Sequence, residues 1–101
     1  MLDVWFLMLN VRHFVVAALL SVAVPAAAAP SDAEKKQARA LMEEGDAAAA
    51  KKDHARALEK YRAADAIMHV PTTGLEVART LSALGRLIEA RDVALSVTRL
   101  E

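Results

Sequence analysis

The 101-residue chain contains no cysteine. That excludes a disulfide framework, a thiolate-held metal and an acylated cysteine of the lipoprotein type. It has no charge excess: Lys plus Arg and Asp plus Glu number 13 each. No net field therefore draws it to nucleic acid or to an anionic membrane surface. Aromatic residues make up only 4%, and the one tyrosine, Tyr61, offers no stacking platform for single-stranded nucleic acid. There is no glycine-rich phosphate loop, and no stretch alternates as a strand would. Beyond Ala29 the histidines are His54 and His69, with no second histidine at metal spacing. His54 reads as a packed helix residue and His69 as part of a turn. Glu43, Glu44 and Asp46 cluster, but acid–base work needs a pocket to separate their pKa values, and a solvated helix face is the simpler reading. Ser82, Ser96 and the threonines lack a recognisable base partner. The expectation is a protein without catalytic, cofactor or metal sites.

What is present begins with "FVVAALLSVAVPAAAA" (Phe14 to Ala29), an uncharged apolar run after Arg12 and His13 that ends in small residues. This basic, apolar, small-residue order is that of a secretory signal peptide. The run has 16 residues and includes Pro25, short for a membrane span of about 20. A cut after Ala28 places Ala26 and Ala28 at the small positions and keeps Pro30 off the new N-terminus. The alternative is an uncleaved membrane anchor. Asp3 and a separate apolar patch precede the basic residues, so Met8 is a more ordinary signal start than Met1. The reading divides the chain into a signal peptide, residues 1–28, and an exported domain, residues 29–101, periplasmic or extracellular and free of the membrane after cleavage.

The exported part is all-α. Asp3 and Arg12 are the only charged residues before Ala29, which leaves 12 of each sign beyond it. Ser31 with Glu34 forms a capping box that opens a helix running to about Lys52. Asp53 can cap a second helix, "HARALEKYRAADAIM". Pro71 disfavours helical geometry at Val70, and Thr73 with Glu76 reads as a capping box for a third helix. Gly85 separates that helix from a fourth, "RLIEARDVALSVTRL". Three short turns imply antiparallel neighbours. The expected core is Leu41, Leu58, Tyr61, Ile67, Met68, Val77, Leu81, Leu84, Leu87, Ile88 and Leu100.

The small and apolar positions recur. His54, Ala57, Tyr61 and Ala64 fall at steps of 3, 4 and 3, and Leu87, Ala90, Ala94 and Val97 repeat those steps further along the chain. The interval from His54 to Leu87 is the repeat offset. At the same offset Leu41, Gly45 and Ala48 map onto Gly74, Ala78 and Leu81. Such steps keep residues on one helix face, and one offset shared by two helix pairs suggests a helix-turn-helix repeat. In this pattern the sequence resembles the tetratricopeptide repeat (TPR) family. Gly45 matches its first small position, Ala57 the alanine early in its second helix, and Tyr61 and Ala64 the later aromatic and small positions. Ala78 and Ala90 fill the small positions of a second copy, and "GRLIEA" resembles the family's turn. Ala48, Lys52 and Ala94 depart from it, and Pro71 comes late. The chain is also similar to divergent alanine-rich TPR modules of bacterial envelope proteins.

The resemblance implies two repeats, about 38–70 and 71–101, as a fragment of an α-solenoid. It implies a non-catalytic protein-interaction module whose first helices line a partner groove. By position that groove is Arg39, Met42, Asp46, Ala49 and Ala50 with Thr72, Leu75, Arg79, Ser82 and Ala83. Arg39, Met42, Asp46, Leu75, Arg79 and Ser82 are its binding candidates. The partner is a protein or peptide, and nucleic acid is not expected. The other reading is a structural spacer, the N-terminal part of a larger envelope protein whose activity lies beyond Glu101. Two repeats are fewer than the three or so a solenoid usually needs, so the module self-associates, belongs to a longer product or folds weakly. Mass spectrometry of the exported protein should show a new N-terminus near Ala29; an intact N-terminus in the membrane fraction would contradict cleavage.

Overall fold

A computed structural model describes residues 29–100. The signal peptide expected over residues 1–28, with its start and cleavage point, lies outside the described residues. Four helices and no strand make up the described part: α1 Asp32–Ala50, α2 His54–Met68, α3 Pro71–Ala83 and α4 Leu87–Thr98. Among the described residues, no helix is long and apolar enough to cross a membrane.

Local chemistry explains most helix starts. Ser31 Oγ accepts the Glu34 backbone N–H at 3.1 Å, and Glu34 Oε1 accepts the Ser31 N–H at 3.1 Å, which completes the expected capping box. The Ser31 backbone bond, reinforced by its hydroxyl, holds the Glu34 carboxyl below the usual carboxylate range. Asp53 Oδ1 accepts the Arg56 N–H at 3.2 Å and caps α2. The third start differs from expectation. Thr73 and Glu76 form no capping box, because α3 already begins at Pro71. Proline suits a first helical position, having no N–H to leave unpaired and a helix-compatible φ. Val70 before it is extended, at φ −118° and ψ 160°. Thr73 is thereby placed inside the first turn, where its hydroxyl donates to Asp65 Oδ1 at 2.6 Å and ties α3 to α2.

The two turns that follow α1 and α3 are conformational copies. Lys52 has φ +60°, and Gly85, its counterpart at the repeat offset, has φ +76°. The caps after them match as well: Asp53 at φ −85°, ψ 73° and Arg86 at φ −87°, ψ 65°. In the first turn Asp53 N–H reaches Ala48 O and Lys52 N–H reaches Ala49 O, both at 2.9 Å. In the second, Arg86 N–H reaches Leu81 O at 2.9 Å and Gly85 N–H reaches Ser82 O at 3.0 Å. Each turn is a Schellman closure that satisfies the last carbonyls of its helix through one left-handed residue. Glycine takes that conformation freely, whereas lysine is strained there by its Cβ.

Consecutive helices pack on each other, α1 on α2, α2 on α3 and α3 on α4. The central cluster joins Ala48, Ala57, Leu58, Tyr61, Val77, Leu81 and Ala90, with Ala57 and Leu81 fully enclosed. Size is matched across each pair. A Cβ on Gly45 would lie 2.6 Å from Tyr61 Cε1, and one on Gly74 would lie 2.6 Å from Val97 Cγ2. Large and small thus alternate in opposite order. Gly45 faces Tyr61, and their counterparts in the second hairpin are Ala78 and Ala94. Gly74 faces Val97, and their counterparts in the first hairpin are Leu41 and Ala64. The core expected from sequence is too generous. Leu58, Tyr61, Val77 and Leu81 are buried, and Leu41, Ile67 and Met68 are half-buried. Leu84, Leu87, Ile88 and Leu100 are exposed. The outer side of α4 meets no other helix of the described chain, so Leu87 and Ile88 stay in solvent there, whereas Leu84 caps the end of α3 and Leu100 follows the end of α4.

The left-handed residues give a paired test. The strain on Lys52 is on the order of 1–2 kcal/mol, partly offset by the greater freedom glycine has in the unfolded chain. Lys52→Gly should raise stability by about 0.5–1 kcal/mol, roughly 4 °C in melting midpoint for a domain this small. Gly85→Ala should lower it by about 1 kcal/mol. Thermal circular dichroism reads both, and a lower midpoint for Lys52→Gly would contradict the geometry of the first turn.

Candidate functional site

The residues expected to bind a partner lie on α1 and α3, and their roles follow from what each touches. On α1, Gly45 leaves room for the Tyr61 ring, and the ring's position brings its hydroxyl to Asp46. Tyr61 Oη donates to Asp46 Oδ1 at 2.5 Å. The tyrosine is 3% exposed, and burial first, then this bond to a carboxylate, pushes its hydroxyl pKa well above the ordinary value. Asp46, itself exposed, is therefore engaged by a buried side chain of the fold. Beside it Lys60 Nζ meets Glu44 Oε2 at 2.9 Å, a second tie between α1 and α2. Met42 is half-buried and leans on the core cluster. Arg39 is exposed near the start of the helix.

On α3, Leu75 is exposed. Arg79 points to solvent but pairs with Glu76 one turn earlier, Nη1 to Oε1 at 3.0 Å. Ser82 is exposed at the end of the helix. Arg79 and Ser82 share a groove between α3 and α4 with Ala78, Leu87, Ala90, Arg91 and Ala94. No residue of α1 lines it. Of the six sequence-derived candidates, the groove joins Arg79 and Ser82 and leaves Arg39, Met42, Asp46 and Leu75 outside.

The groove exists because Ala94 stands where α2 has Tyr61. A methyl group cannot fill the space that a phenol ring fills over Gly45, so the surface between α3 and α4 keeps an open groove beside Ala78 and Ala90. Leu87 and Arg91 are not among the sequence-derived binding residues, and Leu87 is one of the expected core residues. The signal for both is the Ala94 departure, read one step further as a missing side chain. Chemically the groove offers an alanine floor, one leucine and two guanidiniums. Both cations already have neighbours, since Arg91 Nη2 lies 3.2 Å from Asp92 Oδ1. Such exposed pairs are worth about 0–1 kcal/mol, so an incoming carboxylate can compete with them. Among the described residues, no group of three His, Asp or Glu is arranged to hold a metal ion. His54 is half-buried at the start of α2, and His69 ends that helix with φ +46°.

Comparison with family models, curated proteins and solved structures yields no match to this chain.

Tyr61 supplies a pH test. A raised hydroxyl pKa means that folding favours the neutral phenol. Its stabilisation is complete below the unfolded tyrosine value of about 10 and is lost as pH rises toward the folded value. Tyr61 is the only tyrosine, so the tyrosinate absorbance band reports it alone. The band should appear together with loss of helical ellipticity, above the ordinary tyrosine range. Ionisation at the ordinary tyrosine pKa with helicity intact would show that Tyr61 is not enclosed.

Proposed function

We propose that this chain is a non-catalytic protein-interaction module, two TPR-like helix-turn-helix repeats exported behind a signal peptide. The observation that carries the reading is the pair of Schellman turns after α1 and α3, which share dihedral angles and hydrogen bonds at the repeat offset. A repeated turn between small-residue helix faces supports a stackable unit whose side chains are free to serve recognition. The binding residues of this reading are Arg39, Met42, Asp46, Leu75, Arg79 and Ser82. Arg79 and Ser82 carry most weight, because they border an open groove. The partner is a protein or peptide with an acidic group, met by charge-assisted bonds and by apolar contact from Leu75 and Leu87.

One observation favours a second reading, a structural spacer at the start of a larger envelope protein. Asp46 is taken by Tyr61 and Met42 by the core. Two of the six candidates thus have internal work. Pull-down from envelope extract separates the two readings. An Arg39→Glu/Arg79→Glu double variant, shown by circular dichroism to fold, should lose most of a partner that the unmodified protein retains. Equal recovery would remove this face as the binding site and leave the spacer reading.

A further inference from the structure

We infer that the groove between α3 and α4 takes an aromatic side chain of the partner, seated on Ala78 and Ala94, with a neighbouring carboxylate of the same peptide held by Arg79 and Arg91. The inference rests on the acidic peptide of the proposed function and adds the ring.

The first hairpin shows what such a place accepts. There Tyr61 lies over Gly45, in one cluster with Ala57. The repeat offset carries Gly45, Ala57 and Tyr61 onto Ala78, Ala90 and Ala94. All three alanines line the groove, so the equivalence holds in space as well as along the chain. What the second hairpin lacks is the ring. The chain cannot supply one from α4 at the same depth. A Cβ on Gly45 would lie 2.6 Å from Tyr61 Cε1, and Ala78 carries such a Cβ. A ring brought by another molecule is not tied to the α4 backbone. It can settle on the alanine methyl groups at ordinary contact distance, about 3.5–4.0 Å. The groove offers about 450 Å³, whereas an apolar cavity of about 150 Å³ already holds a benzene. A ring and the residue beside it both have room.

The rim selects the chemistry of the occupant. Asp46 accepts the Tyr61 hydroxyl in the first hairpin, and its counterpart at the repeat offset is Arg79. Leu58, in the Tyr61 cluster, has Arg91 as its counterpart. An acceptor and an apolar side chain around the first ring have become two cations beside the second place, and both border the groove. Guanidiniums are attracted to an aromatic face and stack on it, an attraction that an aliphatic side chain does not offer. They also bind carboxylates by charge-assisted bonds, and Ser82 on the same rim can donate to the same group. Arg79 pairs with Glu76 and Arg91 with Asp92 at the surface, and such exposed pairs exchange readily. An aromatic residue beside an aspartate or glutamate satisfies floor and rim together, whereas a basic peptide would be repelled.

The test uses the purified protein, isotope-labelled for NMR, and three acetylated, amidated peptides as probes. The first is Gly-Asp-Phe-Asp-Gly, the second has Leu in place of Phe, and the third has Asn in place of both Asp. The first should shift the amide signals of Ala78, Ser82, Ala90 and Ala94 and leave those of α1 in place. The leucine peptide should bind about tenfold more weakly, as should the asparagine peptide. Ala94→Phe sets a ring on α4 that stands higher than Tyr61 but still covers the groove. Ala94 is exposed, so the fold should survive, which circular dichroism checks, and binding of the first peptide should be lost. Arg91→Gln, at a second exposed position, should reduce the preference for Phe over Leu. Equal affinity for the Phe and Leu peptides would overturn the ring and leave the acidic peptide of the proposed function standing. Equal affinity for the Asp and Asn peptides would overturn the inference together with that acidic partner. Groove amides that stay in place with every probe at millimolar concentration, or undiminished binding by a folded Ala94→Phe variant, would also overturn the inference. The Arg39→Glu/Arg79→Glu pull-down would then still decide the proposed function by itself.

Discussion

The seat of Tyr61 on Gly45 is the contact on which the rest of the fold depends. The ring occupies the space a Cβ at Gly45 would need. Its hydroxyl is then held by Asp46, and its other side meets the Val77 and Leu81 cluster of α3. One residue therefore sets the α1–α2 spacing and offers α3 its docking surface. The energy is concentrated accordingly. Enclosing a large apolar side chain contributes about 1.5–3 kcal/mol, and few residues here are both large and enclosed. Most of the other buried positions are alanine or glycine, which let backbones approach but add little transfer energy of their own.

That economy explains what is legible in the sequence and what is hidden. Ser31 with Glu34 is a local device, complete within four residues, and it stands as read. Gly85 is equally local. Lys52 departs from the resemblance, yet its backbone takes the glycine-like conformation, because the Schellman bonds to Ala48 and Ala49 satisfy the helix end. Thr73 misleads because two start signals overlap: Pro71 fixes its own φ and wins, and the threonine is freed to bind Asp65. Leu84, Leu87, Ile88 and Leu100 mislead for a different reason. Helical periodicity says which residues share a face, but not whether another helix covers that face.

The candidate site shows the same division. Position alone puts Arg39, Met42, Asp46, Leu75, Arg79 and Ser82 on the first helices. Position cannot show that Tyr61 claims Asp46 or that Glu76 pairs with Arg79. These pairings differ in kind. The Asp46 carboxylate accepts the proton of an enclosed hydroxyl, and breaking that bond would leave a buried donor unpaired at about 1–3 kcal/mol. The Arg79 pair is solvated and costs little to exchange. A partner can therefore recruit Arg79, whereas Asp46 is committed to the fold.

Ala94 connects these points. An aromatic ring there would fill the groove over Ala78 and would need a third helix pair to enclose its far side, as α3 encloses Tyr61. With alanine, the groove between α3 and α4 stays open, bordered by Leu87, Arg79 and Arg91. The exchange lowers the cost of the outer face, since a bare phenol ring on α4 would add apolar surface to three aliphatic residues already exposed. It also makes that face charge-selective, because Arg91 stands where α2 has Leu58. An apolar occupant such as α3 would strand the guanidinium away from water, whereas an occupant carrying a carboxylate would pair with it. The same substitution pattern that weakens the stack inside the chain thus favours an acidic surface over a second apolar helix.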